Sequence, residues 1–505
     1  MASHVITASV LGLDAHLVSV ETDISPGLPA FVIVGLADAA VQEARDRVKS
    51  ALRHAGVDFP RTRVTVNLAP ADLRKVGTPF DLPIALGVMA MSGALPEEPL
   101  EKIMLAGELG LDGSLRPIHG ALSFALQAKE QGLEGLILPQ LNASEAALIE
   151  GLQVYGAKHL RDVIAHVKGD SLLEAEEHRE LLTKDIPFVG LDFSSIRGQS
   201  QARRALEIAA AGGHNVLMQG PPGSGKTLLA RAFPSILPFL TRAEALEATR
   251  IHSVAGILPP EGTVKQRPFR APHHSASGVA LVGGGSIPKP GEISLAHRGV
   301  LFLDEFLEFP RHVLETLRQP LEDGSITVSR AQGTMNFPAR FTLLGAMNPC
   351  PCGYLTDPDR SCSCTPILVA KYRKRLSGPL LDRMDLFIEV PKVPTAELTD
   401  ISPGETSESI RHRVQAARDR QTNRCIKTGV ATNAELTSEH VRKYLKIDPN
   451  ARTLLAHAVE RHRLSARAYF RLLKVAQTIA DLSEEETITP SHIGEALLYR
   501  YDPSS

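Results

Sequence analysis

No stretch of the 505-residue sequence approaches the roughly 20 consecutive apolar residues that a membrane-spanning helix needs, so neither such a helix nor a membrane partner is expected. Charge of one sign is not in excess either. Lysine and arginine number 55 against 57 aspartates and glutamates, a formal net charge of -2. Bulk charge therefore gives no argument for a nucleic-acid partner. It gives none against one, because a basic channel inside an acidic exterior also sums to near neutrality. Met1-Ala2-Ser3-His4-Val5 carries no basic segment and Asp14 interrupts the apolar stretch behind it, so no secretory leader is expected. Internal repeats and long low-complexity tracts are missing as well. Cysteine is scarce and unevenly placed: of five, four fall between Cys350 and Cys364. Such clustering is unlike a disulfide framework and points to metal ligation in a reducing, cytoplasmic setting.

What is present divides the chain. At roughly 100–200 residues per domain the length allows about three, each with its own core. Residues 1–168 alternate strand-like runs, Leu17–Glu21 and Arg63–Leu68, with a helix whose face carries Val41, Ala44, Val48, Ala51 and Leu52. Residues 169–185 are charged and read as a linker or an exposed helix. Residues 186–393 repeat a strand-then-helix pattern, which predicts a parallel sheet with its site at the strand ends. Residues 394–505 are helical and strand-poor, with an apolar face through Leu472, Val475, Ile479 and Leu482.

The most specific motif opens at Gly220. The short strand Asn215–Gln219 runs into Gly220, Pro221, Pro222, Gly223, Ser224, Gly225, Lys226 and Thr227, followed by a helix. This is the glycine-rich loop whose backbone N–H groups wrap phosphates. Lys226 is expected to reach the β- and γ-phosphates of ATP, and Thr227 to ligate Mg²⁺. Gly299–Leu303 is a buried strand ending in Asp304 and Glu305. Two acids there are costly unless they serve a metal and a water. Asp304 is expected to hold Mg²⁺, and Glu305 to activate the attacking water. A third strand, Phe341–Met347, ends in Asn348, which either orients that water or merely begins the turn before Pro349.

Leu380–Leu386 contains Arg383. It is expected to complete a neighbouring subunit's site as an arginine finger, the alternative being a local pair with an aspartate. Arg467 is the candidate for a second phosphate sensor, with Arg471 one turn on as its competitor. The interval from Lys226 to Asp304 is long, and glycine and proline between Phe269 and Gly291 exclude a continuous helix there. A protruding loop is expected, its His273–His274 pair structuring the loop or a subunit contact rather than binding metal. Gly324–Arg330 and Gly333–Phe337 flank Ala331-Gln332 as a β-hairpin. Lys289 and Arg330 on these projections either touch the phosphates of threaded DNA or are solvated charge. Cys350, Cys352, Cys362 and Cys364 form two C-x-C pairs that together suffice for a structural Zn²⁺, and Cys425 is left over as an ordinary thiol.

Arg270–Ser275, Gly283–Ser286, Lys289–Glu292, Leu301–Glu305 and Ser377–Arg383 together resemble the magnesium-chelatase-like AAA+ family called YifB or ComM, over essentially the whole chain. The resemblance implies an α/β fold: a P-loop AAA+ ATPase core with a helical lid, preceded by a Lon-protease-like α+β domain. It also implies a homo-oligomer, a hexameric DNA helicase that drives branch migration and helps single-stranded DNA integrate during natural transformation. Lon-type proteolysis needs a serine–lysine dyad. Pro79 stands where the serine would be, Leu122 and Phe124 where the lysine would be, and Lys129 falls on the outer face, so the leader is expected to be a non-peptidase module. Other readings are the motor subunit of a metal chelatase, an ATP-dependent protease, which the missing dyad disfavours, and a transcription activator, whose usual GAFTGA loop is replaced by Leu281–Ser286.

Overall fold

A hairpin of Ser3–Leu11 and Asp14–Ser25 starts a seven-stranded mixed sheet. From one edge to the other its order is Ala30–Val34, Arg63–Ala69, Asp14–Ser25, Ser3–Leu11, Ile103–Leu105, Gly135–Pro139 and Gln153–Ala157. The two strands expected from the sequence lie within Asp14–Ser25 and Arg63–Ala69. The computed structural model describes residues 2–181, 188–285, 288–330, 333–394, 404–426 and 428–500.

The helix Ala39–His54 begins at Asp38, whose carboxylate accepts from the Val41 N–H at 2.9 Å. It buries Val41, Ala44, Val48, Ala51 and Leu52, the face its spacing predicts. The helix Asp81–Met91 is apolar on every side and almost wholly buried. Its one acid, Asp81, is met by Arg47 at 2.6 and 2.9 Å and by the Leu109 N–H at 3.1 Å. Of the residues that bear on a proteolytic dyad, Leu122 and Phe124 are buried and Lys129 is exposed. Lys75 is fully buried, its amine donating to the Pro70 carbonyl.

The chain forms two compact units, residues 1–182 with 242–265, and residues 183–241 with 266–505. These boundaries differ from the expected ones in three places. The described part of the expected linker, 169–181, belongs to the first unit. Glu176 N donates to Val154 O at 2.8 Å and Arg179 N to Ala147 O at 3.2 Å, so this polar segment supplies partners to the edge strand Gln153–Ala157 and its neighbourhood. Residues 182–187 lie outside the described residues. The expected continuous core 186–393 is also interrupted, because the helix Arg242–Ala255 folds with the first unit. There Arg250 pairs with Asp14 at 2.6 Å, and Ser253 donates to the buried Glu145. Finally, residues 404–500 do not separate from the sheet that precedes them. The helices Ser407–Arg424 and Ala466–Leu482 pack on Ser200–Gly212, and Leu472, Val475 and Ile479 join the same hydrophobic core as Val216 and Leu344.

The second unit is built on a five-stranded parallel sheet ordered Phe269–Arg270, Val300–Leu303, Thr342–Met347, Val216–Gln219 and Leu386–Glu389. Two projections interrupt it. Ser325–Arg330 pairs with Gly333–Pro338 as the expected hairpin, its turn residues lying outside the described residues. Between Arg270 and Glu292 the chain makes a helical turn, Gly278–Val282, and a tight pairing of Gly283–Gly284 with Lys289–Pro290.

Candidate nucleotide site

The sheet order assembles the site. The strand ending at Met347 lies between the strand ending at Gln219 and the strand ending at Leu303, so Asn348 emerges between Lys226 and Asp304. Gly220 is required by close approach: a Cβ there would lie 2.1 Å from the Val390 carbonyl. Gly225 takes φ +95° just before the helix Lys226–Ala232, a backbone that side chains resist.

Lys226 is only 8% exposed. Its amine donates to the carbonyls of Gly220 at 2.7 Å and Pro221 at 2.8 Å, with Asn348 Oδ1 at 3.5 Å. Burial pulls its pKa down to about 8, against the opposing pull of Asp304. Thr227 donates to Asp304 Oδ2 at 2.7 Å, and Asp304 Oδ1 accepts from the Glu305 N–H at 2.9 Å. Amine, hydroxyl, carboxylate and amide thus lie close together. A buried ammonium held by neutral acceptors, the loop carbonyls and the Asn348 amide oxygen, and a hydroxyl–carboxylate pair fit triphosphate and Mg²⁺.

Glu305 sits in the left-handed region at φ 50°. Its half-exposed carboxylate lies 2.9 Å from His274 Nδ1. The loop-structuring or subunit-contact role expected of the histidine pair does not include this contact. The signal was present in His274's place, four residues past the strand Phe269–Arg270 that pairs beside the strand leading to Glu305.

The arginines group elsewhere. Arg383, 10% exposed, meets Glu322 at 2.6 Å and donates to the Pro379 carbonyl at 2.6 Å. Arg467, 63% exposed, lies 3.6 Å from the same Glu322 and 3.9 Å from Asp382. Arg471 donates to the carbonyls of Leu381 and Met384, which ties it to the end of the turn Gly378–Leu381 and leaves Arg467 as the more accessible of the two. Glu322 was not legible as their shared partner.

The four sulfurs of Cys350, Cys352, Cys362 and Cys364 lie within 4.8 Å of one another. Three of the separations are 3.4, 3.7 and 3.6 Å. Tetrahedral Zn²⁺ with Zn–S near 2.3 Å requires sulfurs about 3.8 Å apart, so the donor set fits. Backbone N–H groups of Tyr354 and Ser363 bring the Cys352 thiol down to about 5. This loop touches the loop Gly220–Thr227, since a Cβ on Gly353 would lie 2.8 Å from Pro222 Cδ. Cys425 is buried apart from the cluster.

Three family profiles match the chain: Subunit ChlI of Mg-chelatase over residues 20–142, Magnesium chelatase, subunit ChlI over 192–398, and its C-terminal profile over 404–500. "Uncharacterized protein YifB" of Escherichia coli (strain K12) is 45% identical over 495 residues, covering 98% of this chain and 96% of the relative. The chain belongs to the YifB/ComM family of magnesium-chelatase-like proteins. A second YifB/ComM relative, "Competence protein ComM" of Haemophilus influenzae, is 46% identical over 97% of this chain and 96% of its own. The "Magnesium-chelatase 38 kDa subunit" of Acidiphilium rubrum is more distant, 27% identical over 60% of this chain and 87% of its own. With the phosphate-loop geometry, membership in the YifB/ComM family makes the chain an ATPase of magnesium-chelatase type, with ATP and Mg²⁺ implied. No helix among the described residues is long and apolar enough to cross a membrane.

Proposed function

We propose that this YifB/ComM-family chain is an ATP-driven ring motor acting on DNA, a branch-migration helicase that aids integration of single-stranded DNA during natural transformation or recombination. The observation that carries the motor reading is the convergence of Lys226, Thr227, Asp304 and Asn348 at neighbouring strand ends. The DNA reading draws support from the relative named a competence protein and from the two projections. Each projection interrupts the chain just before a strand that ends in the site.

The residues divide the work. Lys226 exchanges its loop carbonyls for the β- and γ-phosphates. Thr227 and Asp304 hold Mg²⁺, which neutralises developing charge on the phosphates when bound. Glu305 takes the proton of the attacking water, and Asn348 orients that water. Arg383 leaves Glu322 to reach the nucleotide of the next subunit in a homo-oligomeric, hexameric ring, and Arg467, on the helical lid, senses the chain's own γ-phosphate. The cysteine cluster holds a structural Zn²⁺ through Cys350, Cys352, Cys362 and Cys364, closing the loop beside Asn348. The first unit is a Lon-like module without peptidase activity, a reading supported by buried Leu122 and Phe124 at the lysine positions.

The test is ATP-dependent unwinding of a synthetic four-way junction by the full chain. Branch migration that stops in Lys226→Ala supports the proposal. An intact ATPase that leaves every junction unmoved, yet responds to a tetrapyrrole, would instead make it the motor of a metal chelatase.

A further inference from the structure

Asn215 stands at the opposite end of the strand Val216–Gln219 from the loop Gly220–Thr227. That strand lies between Thr342–Met347 and Leu386–Glu389. The Asn215 side chain ties the starts of all three together. Its Nδ2 donates to the Arg383 carbonyl at 3.0 Å, and its Oδ1 accepts from the Leu343 N–H at 2.8 Å. Its backbone completes the joint. The Asn215 N–H donates to Asp385 Oδ2 at 3.0 Å, and the Asn215 carbonyl accepts from the N–H groups of Asp385 at 2.9 Å and Leu386 at 3.0 Å. These partners fix the orientation of the amide. Flipped, it would set donor against donor at Leu343 and acceptor against acceptor at Arg383.

The two side-chain contacts differ in what they control. The strand Thr342–Met347, which leads to Asn348, is hydrogen-bonded on both sides, to Val216–Gln219 and to Val300–Leu303. Leu343 and Asn348 therefore keep their places without the amide. Arg383 lies ahead of its strand, outside that ladder. Its side chain is turned to Glu322 and the Pro379 carbonyl, so those contacts hold the guanidinium rather than the backbone. The backbone is held at the Arg383 carbonyl by Asn215, and beside it by Arg471, which donates to the carbonyls of Leu381 and Met384. An arginine that leaves Glu322 swings about its own Cα, so the place where that Cα is held decides where the guanidinium arrives. A misplacement of about 1 Å at a reacting group can cost about 10²-fold in rate.

We propose that Asn215 is a positioning residue for Arg383. It fixes the arginine's backbone to the strand that carries the chain's own loop, and its effect on hydrolysis is felt at the neighbouring subunit's nucleotide. The inference rests on the reading of Arg383 as a finger acting in trans, and it deepens that reading by naming what aims the finger.

The experiment uses full-length chains and steady-state ATPase rates. Asn215→Ala should lower kcat about 10- to 100-fold with KM for ATP unchanged. Mixed rings then show on which side of the interface the residue acts. The reference mixture joins Arg383→Ala chains, which keep the loop, to Lys226→Ala chains, which keep the finger. Adding Asn215→Ala to the Lys226→Ala chain should lower the turnover of the mixture by the same factor. Adding it to the Arg383→Ala chain should leave that turnover unchanged. A residue that merely supports the fold would lower both mixtures. Equal losses in the two, a loss confined to the Arg383→Ala side, or no loss in either overturns the inference. Asn215→Asp, which keeps the acceptor for Leu343 and removes only the donor to Arg383, is run through the same mixtures and should show the same one-sided loss, so a misfolded alanine chain does not decide the result. A reference mixture without turnover at any ratio removes the finger in trans, and the inference with it. Turnover in the reference mixture with symmetric losses removes only the role of Asn215.

Discussion

Arg383 and Glu322 are joined across 2.6 Å within one chain, and the arginine is almost enclosed. A second arginine, Arg467, leans on the same carboxylate. Glu322 lies in the last turn of the short helix Arg318–Asp323, which runs through Gly324 directly into the hairpin strand Ser325–Arg330. A finger serving a neighbour must therefore break a bond at home, and the residue it leaves is one step from the projection proposed to touch DNA.

Arg383→Ala should then be inactive alone, by about 10³-fold or more if the finger is of ordinary strength. Mixed with Lys226→Ala chains it should restore part of the turnover, because an intact site and an intact finger then meet in some pairs. Failure of every mixing ratio would count against action in trans.

Lys226→Ala should weaken ATP binding by roughly a hundredfold or more, the worth of several charge-assisted hydrogen bonds. Glu305→Gln should still bind ATP while turnover drops about 10²–10⁴-fold. Equilibrium binding beside single-turnover hydrolysis separates the two, and fast hydrolysis by the glutamine variant would remove Glu305 from its role.

Protein purified without chelators should carry one zinc per chain, and Cys352→Ser should lose it. Because Gly353 packs on Pro222, metal loss should also weaken nucleotide binding and lower the unfolding midpoint by several degrees. Elemental analysis that finds no zinc in fully active protein contradicts this reading.

Glu145 is buried and accepts from the Leu122 N–H at 2.7 Å and from Ser253. Desolvation raises its pKa to about 7 despite those donors. The folded state therefore holds a proton that the unfolded chain releases near its ordinary value of 4.5. This contribution is complete below that value and fades as pH rises through about 7, costing roughly 1–3 kcal/mol at pH 8. Glu145→Gln keeps both acceptor contacts without the charge. It should match wild type in thermal midpoint at acid pH and exceed it at pH 8; equal midpoints at pH 8 would contradict the assignment.

The contiguous features were legible. Loop, strand-end acids and amide each occupy a run of neighbouring residues, and the helix face through Val41 and Leu52 follows from period alone. What escaped were pairings across distance. Period shows that the helix Arg242–Ala255 has an apolar face but not which unit it packs in; that choice rests on partners such as Asp14 and Glu145, far away in sequence. The charged run after Gly169 reads as a linker because its job is done by backbone groups, on which composition is silent. His274 and Glu322 escaped for the same reason: each acquires meaning only from the residue folded against it.

The central claim is that ATP hydrolysis at Lys226 and Glu305 is spent on DNA. Steady-state ATPase rate with no DNA, single strands, duplex and a four-way junction tests it most directly. The account predicts strong stimulation by single-stranded or branched DNA, lost in Glu305→Gln. A rate indifferent to every form of DNA would leave an ATPase whose substrate is something else.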